Sequence, residues 1–212
     1  PGEQTADRAE FWNRVEAHHK RGDAITCREV EVALPAELSA EKRQELAHGF
    51  ARHLAERYGV AADVAIHEPS KGGDGRNHHA HILLSACSVN PDGSLGKKAV
   101  ALDPIACKRA KQPSLAERER EFWATVVNRL LASEGMAARV DHSSLLNQQA
   151  AAVQNDDFAK AAQLDRPATK HEGKAVTQAR RRGERLPRAK RNDRVRQAAD
   201  SRVTAHAERF EA

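Results

Sequence analysis

The segment 77–84, with the sequence NHHAHILL, alternates histidines with aliphatic residues and constrains the fold more than any other part of the chain. Successive side chains of a β-strand point to opposite faces of the sheet. His79 and His81 therefore share one face, while Ile82 and Leu84 share the other. The pattern predicts a strand that is buried on one side and carries imidazoles on the other.

The rest of the first 144 residues alternates between helix and strand signals. Aromatic residues make up only 4% of the sequence, so the core must consist mostly of Ala, Val, Leu and Ile. This order of elements predicts an α+β fold, an antiparallel sheet with helices packed on one face. The predicted helices begin after Thr5, Ser39 and Ser114, and the predicted strands are 25–34, 60–67, 78–86 and 137–142.

Positive charge is concentrated at the end of the chain. Residues 145–212 hold 15 Lys or Arg and 9 Asp or Glu, a net charge of +6, which leaves −1 for residues 1–144. We predict a domain over 1–144 and a basic extension over 145–212, largely helical or disordered. The arginines of this extension indicate either a solvated helix or a nonspecific nucleic-acid role.

A third histidine ends the strand that precedes the histidine pair. His67 follows Val64 and Ile66, which face the core in the predicted hairpin, so the hairpin can place it beside His79 and His81. Three imidazoles on a solvent-facing sheet surface make a divalent-metal site with open positions. Such a site suits Lewis-acid chemistry on an oxyanion. The alternative is three ordinary surface histidines.

Three motifs of this sequence, VEVALPAEL, the strand end AIH and NHHAHIL, resemble in their order the MobA/MobL class of plasmid relaxases, within the HUH endonuclease superfamily. GMAARVDHSSL is similar to that family's final sheet strand, and DRPATKHEGKAVTQARRRG to the segment after it. The resemblance spans roughly residues 8–185. It implies an HUH relaxase-like fold and an enzyme that nicks one strand of a plasmid transfer origin. It also implies covalent attachment to the DNA 5′ end through a phosphotyrosine.

Site residues follow from the resemblance position by position. His67, His79 and His81 match the family's three metal ligands, and the implied metal is Mg²⁺ or Mn²⁺. Glu29 matches an acidic active-site position, where a carboxylate could orient an imidazole or accept a proton. Glu31 points the same way and is the second candidate. The alternative for both glutamates is a solvated strand face.

Candidate DNA contacts lie in two polar segments. Lys71 and Arg76 belong to the predicted loop 68–77, which either contacts phosphate or is simply polar. Lys97 and Lys98 fall in the connection after the histidine strand and are predicted to line a groove for single-stranded DNA.

The sequence departs from the family at the nucleophile. The family's catalytic tyrosine lies on an N-terminal segment ahead of the helix that begins this chain. Tyr58 is the one tyrosine here, and its position at the end of an amphipathic helix is typical of packing. We therefore expect the tyrosine upstream of Pro1, and we expect this chain alone to bind metal and some DNA without nicking it.

Other functions remain open at this point. One is a non-catalytic metal- and DNA-binding fragment. Another is a three-histidine phosphodiesterase that uses water, and a third is a replication initiator of the same superfamily. The predicted partners are single-stranded DNA at a transfer origin and accessory mobilisation proteins. No apolar run approaches the roughly 18 residues that cross a bilayer, so we predict a cytoplasmic protein without membrane insertion.

Overall fold

The structure is a computed structural model, and it describes residues 7–71, 74–137, 139–166 and 168–210. The chain divides into two compact units, Pro1–His142 and Ser143–Ala212. The strands of the first unit are β1 Cys27–Leu34, β2 Ala62–His67, β3 His78–Ser85, β4 Cys87–Val89 and β5 Leu95–Lys98. Its helices are α1 Arg8–His18, α2 Ala40–Tyr58, α3 Pro104–Arg109 and α4 Leu115–Ser133. The second unit holds α5 Leu145–Gln154, α6 Phe158–Leu164, α7 Gly173–Arg181 and α8 Pro187–Phe210.

The main sheet of the first unit is antiparallel, with strand order β1-β3-β2. In the central strand, Ile82 and Leu84 are fully buried. They belong to a core that includes Leu54 of α2 and Val127 of α4. Helices α2 and α4 therefore pack on this core face, which confirms the predicted α+β architecture. The opposite face, which carries the three histidines, is called the histidine face below.

The helix boundaries follow the capping residues. Ser39 caps α2 by accepting a hydrogen bond from the Lys42 N–H, and α2 ends at Gly59 with φ of 61°. A glycine suits this left-handed position because it has no Cβ. At α4, Ser114 and Glu117 form the predicted capping box.

Helix α1 joins the sheet from the side opposite the core. Its N-cap is Asp7, whereas the predicted cap Thr5 lies outside the described residues. The Arg8 Nε and the Trp12 Nε1 donate to the Asp63 carboxylate at 2.6 and 2.9 Å. Asp63 alternates along β2 with the core-facing Val64, so its side chain lies on the histidine face.

Strands β4 and β5 form a hairpin that is not predicted from the sequence. The Ala86 N–H donates to the Thr26 carbonyl, and the Ala99 N–H donates to the Ala86 carbonyl. These bonds attach the hairpin at the end of β3 where Ser85 lies. Such short strands lack a clear alternation, because four of their seven residues are polar or glycine.

The predicted strand 137–142 is wrong for the described residues of that stretch, which have no regular secondary structure. The Asn128 side-chain amide makes two hydrogen bonds to the Val140 backbone. It accepts from the Val140 N–H at 2.7 Å and donates to the Val140 carbonyl at 2.8 Å. A side chain of α4 therefore takes the backbone groups that a neighbouring strand would need.

The second unit is helical over most of its described residues. Asn192 is 1% exposed, and its amide accepts from the Lys170 N–H at 2.9 Å and donates to the Lys170 carbonyl at 2.7 Å. Of the two alternatives predicted for residues 145–212, helix and disorder, the described residues of the structure agree with helix. Among the described residues of both units, no helix is long and apolar enough to span a bilayer.

Candidate metal centre

Two strand positions and one strand end bring the three histidines together. His67 ends β2 and pairs directly with His79 of β3, while His81 follows two residues later on the same face. The ring centroids lie 4.6 to 5.3 Å apart. One nitrogen of each ring lies within 4.8 Å of the others. The structure therefore places all three predicted ligands in one cluster that faces solvent.

Hydrogen bonds fix the orientation of two of the rings. The His81 Nδ1 lies 2.6 Å from Glu29 Oε1, and the His79 Nδ1 lies 2.9 Å from the Asn77 carbonyl oxygen. A carbonyl or an ionised carboxylate only accepts, so each Nδ1 carries the proton in these contacts. Each Nε2 then presents its lone pair, as metal-bound imidazoles do when the other nitrogen is held by an acceptor.

The two predicted acidic residues differ in what they contact. Glu31 lies directly across from His81 in the β1–β3 register, but Glu29, the diagonal neighbour, makes the hydrogen bond. Diagonal neighbours across antiparallel strands are within reach of long side chains. Glu31 is exposed and makes no hydrogen bond to the described part of the chain.

Replacing Glu29 with glutamine is expected to weaken Mn²⁺ binding about 10- to 100-fold, because His81 loses the carboxylate that orients it. Isothermal titration of the whole chain with Mn²⁺ measures the change. The matched control is Glu31→Gln, which removes the same charge from the same strand face and should leave affinity within about threefold. Equal losses in the two variants would show a general charge effect and contradict the role of Glu29.

The sequence does not reveal that Asn77 contacts His79. Its backbone carbonyl, and not its side chain, accepts from His79. Any residue type offers a carbonyl, so no residue pattern marks this position.

The loop before β3 holds the first pair of predicted DNA contacts. Lys71 is exposed, and the Arg76 guanidinium binds the Asp74 carboxylate through two bonds of 3.0 and 2.9 Å. Gly72 and Gly73, between them, lie outside the described residues. The bonds to Asp74 use two of the five N–H donors of the Arg76 guanidinium, and its remaining donors can contact a phosphate.

Lys97 and Lys98 lie in strand β5 and not in a connection, which corrects the predicted location. The β4–β5 hairpin attaches beside Ser85. Ser85 lies four residues along β3 from His81, about 13 Å at strand rise. Lys98 also donates to the Asp103 carboxylate, which lies 3.7 Å from Arg28 as well. The structure therefore does not bring these lysines to the histidine cluster.

We expect Asp103 to stabilise the folded state near neutral pH and to lose this effect as the solution is acidified. The Lys98 ammonium, assisted by the Ile105 and Ala106 N–H groups, lowers the pKa of Asp103 to about 2. A lowered carboxyl pKa stabilises the folded state fully above the ordinary value of about 3.9, and this contribution is lost as pH falls towards about 2. Urea unfolding between pH 5 and about pH 2 should show a smaller loss of stability in Asp103→Asn than in the unmodified chain.

Lys97 and Lys98 provide a matched pair of substitutions for the pH-dependent unfolding experiment. Lys98→Gln removes the main cause of the lowered pKa and should behave like Asp103→Asn, whereas Lys97→Gln should keep the full acid dependence. An unchanged acid dependence in Lys98→Gln would refute the assignment.

Tyr58 is half-buried and its hydroxyl is engaged by residues of α4, not by the histidines. Its hydroxyl donates to Glu119, which is 4% exposed, and accepts from Arg118 Nε at 3.2 Å. Burial, reinforced by the Glu119 contact, raises the pKa of the Tyr58 phenol above its ordinary value. Tyr58 lies at the end of α2, and its ring packs against the core. Both observations support a packing role and not a nucleophilic one.

Comparison with known proteins places the chain in a family. A sequence model of the MobA/MobL family matches residues 1–182. The chain is 57% identical over 165 residues to Mobilization protein MobL of Acidithiobacillus ferridurans, covering 68% of this chain and 44% of that protein. It is 30% identical over 155 residues to Mobilization protein A of Escherichia coli, covering 65% and 20%. The chain therefore spans less than half the length of these curated relatives.

A solved structure is also similar, described as the molecular basis of vancomycin resistance transfer in Staphylococcus aureus. Its TM-score is 0.49 at 25% identity, covering 66% of this chain and 72% of that one. The family match itself extends over residues 1–182 of 212, including all three histidines and both strand glutamates. The chain therefore belongs to the MobA/MobL family.

Proposed function

We propose that this chain forms the metal-binding part of a plasmid relaxase, which nicks one strand of DNA at a transfer origin. The observation that carries the proposal is the cluster of His67, His79 and His81, found in a chain whose relatives are mobilization proteins. Two of the rings are pre-oriented by Asn77 and Glu29.

The donor set fits a divalent metal ion. The three nitrogens lie within 4.8 Å of one another, while two metal–nitrogen bonds of about 2.1 Å span at most about 4.2 Å, so small ring rotations complete the set. Three neutral imidazoles leave coordination positions for phosphate oxygens, and they suit Mn²⁺, Zn²⁺ and Ni²⁺ in vitro. When bound, the ion supplies Lewis-acid stabilisation of negative charge on the scissile phosphate. We propose Mn²⁺ or Mg²⁺ as the ion used in the cell.

The residues of this chain prepare the site for a phosphodiester. Asn77 and Glu29 hold His79 and His81 with each Nε2 directed away from its Nδ1 partner. Glu31 lies on the same face, exposed and without a hydrogen bond to the described residues. A free carboxylate at this position can accept the proton of an attacking phenol.

The proposed reaction is a transesterification by a tyrosine. Its phenolate oxygen attacks the phosphorus, the bond from phosphorus to the 3′ oxygen breaks, and that oxygen takes a proton to become a 3′ hydroxyl. The DNA 5′ phosphate remains esterified to the tyrosine. Because the Tyr58 hydroxyl is engaged by Glu119 and Arg118, we propose that a tyrosine other than Tyr58 supplies the phenol, and that this chain alone does not nick.

The proposed substrate determines the proposed partners. Single-stranded DNA of a transfer origin would cross the histidine face, and accessory mobilisation proteins would open the duplex there. The protein would act in the cytoplasm, where plasmid DNA lies.

Binding of origin DNA in the presence and absence of metal tests the metal centre directly. A fluorescent oligonucleotide spanning the nick site of the transfer origin is titrated with the whole chain, with Mn²⁺ or with EDTA. We expect Mn²⁺ to tighten binding at least about tenfold, and His79→Ala to abolish this gain. The control His48→Ala, which removes an exposed imidazole from α2, should retain it. Equal binding with Mn²⁺ and EDTA would overturn the proposal.

A second assay tests the assignment of the nucleophile. Supercoiled plasmid carrying the transfer origin is incubated with the unmodified chain and with Tyr58→Phe, and covalent adducts are resolved under denaturing conditions. We expect no adduct with either protein. An adduct that disappears in Tyr58→Phe would show that Tyr58 is the nucleophile and would overturn this assignment. Strand cleavage without an adduct, lost in His79→Ala, would instead establish a water-using phosphodiesterase.

A further inference from the structure

In the second unit, one group of arginines forms ion pairs with acidic residues. Arg180 binds Glu172 at 2.6 Å and Asp193 at 3.0 Å. Arg185 also binds Asp193, at 2.6 Å. The Arg202 guanidinium lies 3.3 Å from the Asp165 carboxylate. These pairs tie α8 to the segments that precede it, so the helix is held by its own unit.

A second group of cations has no such partners. Lys190, Arg191 and Arg194 are exposed, and none of them has an ion pair within the described residues. At 3.6 residues per turn they occupy an arc of about 100°, roughly opposite the buried Ala189 and Asn192. These three residues are called the α8 basic face. No acidic residue of α8 lies on this arc between residues 187 and 201.

We propose that the α8 basic face binds the phosphate backbone of double-stranded DNA. Three like charges within about one helical turn repel one another, and an anionic partner removes that repulsion. The unit as a whole has a net charge of +6 over residues 145–212, so the wider surface favours the same partner. Arginine adds planar, paired donors that match phosphate oxygens.

The composition of the face favours duplex over single-stranded DNA. Surfaces that bind single strands combine basic residues with aromatic rings, on which exposed bases stack. Besides its cations, the described outward face of α8 carries Gln197, Ala198 and Ser201, and no aromatic ring. Contacts from this face can therefore reach phosphates, and the face offers no aromatic ring on which bases could stack.

Salt dependence of binding tests the proposal. The whole chain and the triple variant Lys190→Gln, Arg191→Gln, Arg194→Gln are titrated with a labelled duplex that contains no transfer origin, in EDTA. Each phosphate contact contributes about 0.9 to the slope of log K against log salt. We expect the variant to reduce the steepness of this slope by about 2 to 3, and to bind about tenfold or more weakly near 0.1 M salt.

The matched control removes the same charge elsewhere in the unit. Lys160→Gln, Lys170→Gln, Lys174→Gln replaces three exposed lysines, and it should leave the slope nearly unchanged. Circular dichroism verifies that both variants keep their helix content. The same titrations are repeated with one strand of the duplex as a single-stranded probe. Equal slopes in all three proteins, equal losses in both variants, or a loss seen only with the single-stranded probe would each overturn the proposal. Because EDTA and a duplex without an origin are used, failure of the histidine centre would not affect this result.

Discussion

The His79→Ala variant is expected to bind Mn²⁺ more than about 100-fold more weakly than the unmodified chain. Losing a residue that hydrogen-bonds a metal ligand reduces metal affinity about 10- to 100-fold. Here the ligand itself is removed from a set of three. His79 pairs directly with His67 across the strands, and its neighbour His78 belongs to the opposite face of β3. Isothermal titration with Mn²⁺ near neutral pH measures the loss.

The control for this prediction is a histidine outside the cluster. His48 is exposed on α2, which packs on the core face of the sheet, and His48→Ala should leave Mn²⁺ affinity within about threefold. The urea midpoint of His79→Ala should remain close to that of the unmodified chain, because this side chain is not part of the core. Unchanged Mn²⁺ affinity in a folded His79→Ala chain would remove the basis of the proposed metal centre.

The Ile82→Ala variant is expected to reduce the free energy of unfolding by about 2 to 5 kcal/mol. Ile82 is fully buried at the centre of the sheet, between β1 and β2, and belongs to the core formed with α2 and α4. Truncating it removes buried apolar surface and leaves a cavity that the surrounding strands can close only in part. Equilibrium urea unfolding, followed by circular dichroism, gives the change.

Ile105 provides the same substitution at an exposed position. It is 61% exposed at the start of α3, so Ile105→Ala should change stability by no more than about 0.5 kcal/mol. In the absence of urea, Ile82→Ala should still bind Mn²⁺ with nearly normal affinity, because both neighbouring strands hold the backbone of β3 in register. A cost below about 1 kcal/mol would show that this strand is not central to the core.

Strong local patterns predicted the main elements of the first unit to within about two residues. Ser39 and Gly59 bound α2, and Ser114 with Glu117 starts α4, because capping is decided by hydrogen bonds within one helical turn. The alternation of residues 79–84 likewise gave the buried and exposed faces of β3. Each of these features depends on residues that are close in sequence.

Elements that depend on distant partners were not predictable in this way. The predicted strand at 137–142 fails because Asn128, on another element, binds the Val140 backbone. The β4–β5 hairpin forms against the end of β3 through backbone groups that any sequence provides. Local propensity is too weak to specify such short segments, and tertiary contacts decide them.

The sequence by itself determined which face of the sheet each histidine and glutamate occupies, because the strand period of two is a local property. The strand period alone could not distinguish Glu29 from Glu31, since both share that face, and only the resemblance to the family ranked Glu29 first. Only the tertiary structure shows that His81 contacts its diagonal neighbour Glu29, while Glu31, directly across from it, makes no hydrogen bond to the described residues. The same holds in the second unit, where composition gave the charge but folding decided which cations meet acids and which, on the α8 basic face, do not. Pairing across the chain depends on the relative placement of whole elements, and no local pattern contains that information.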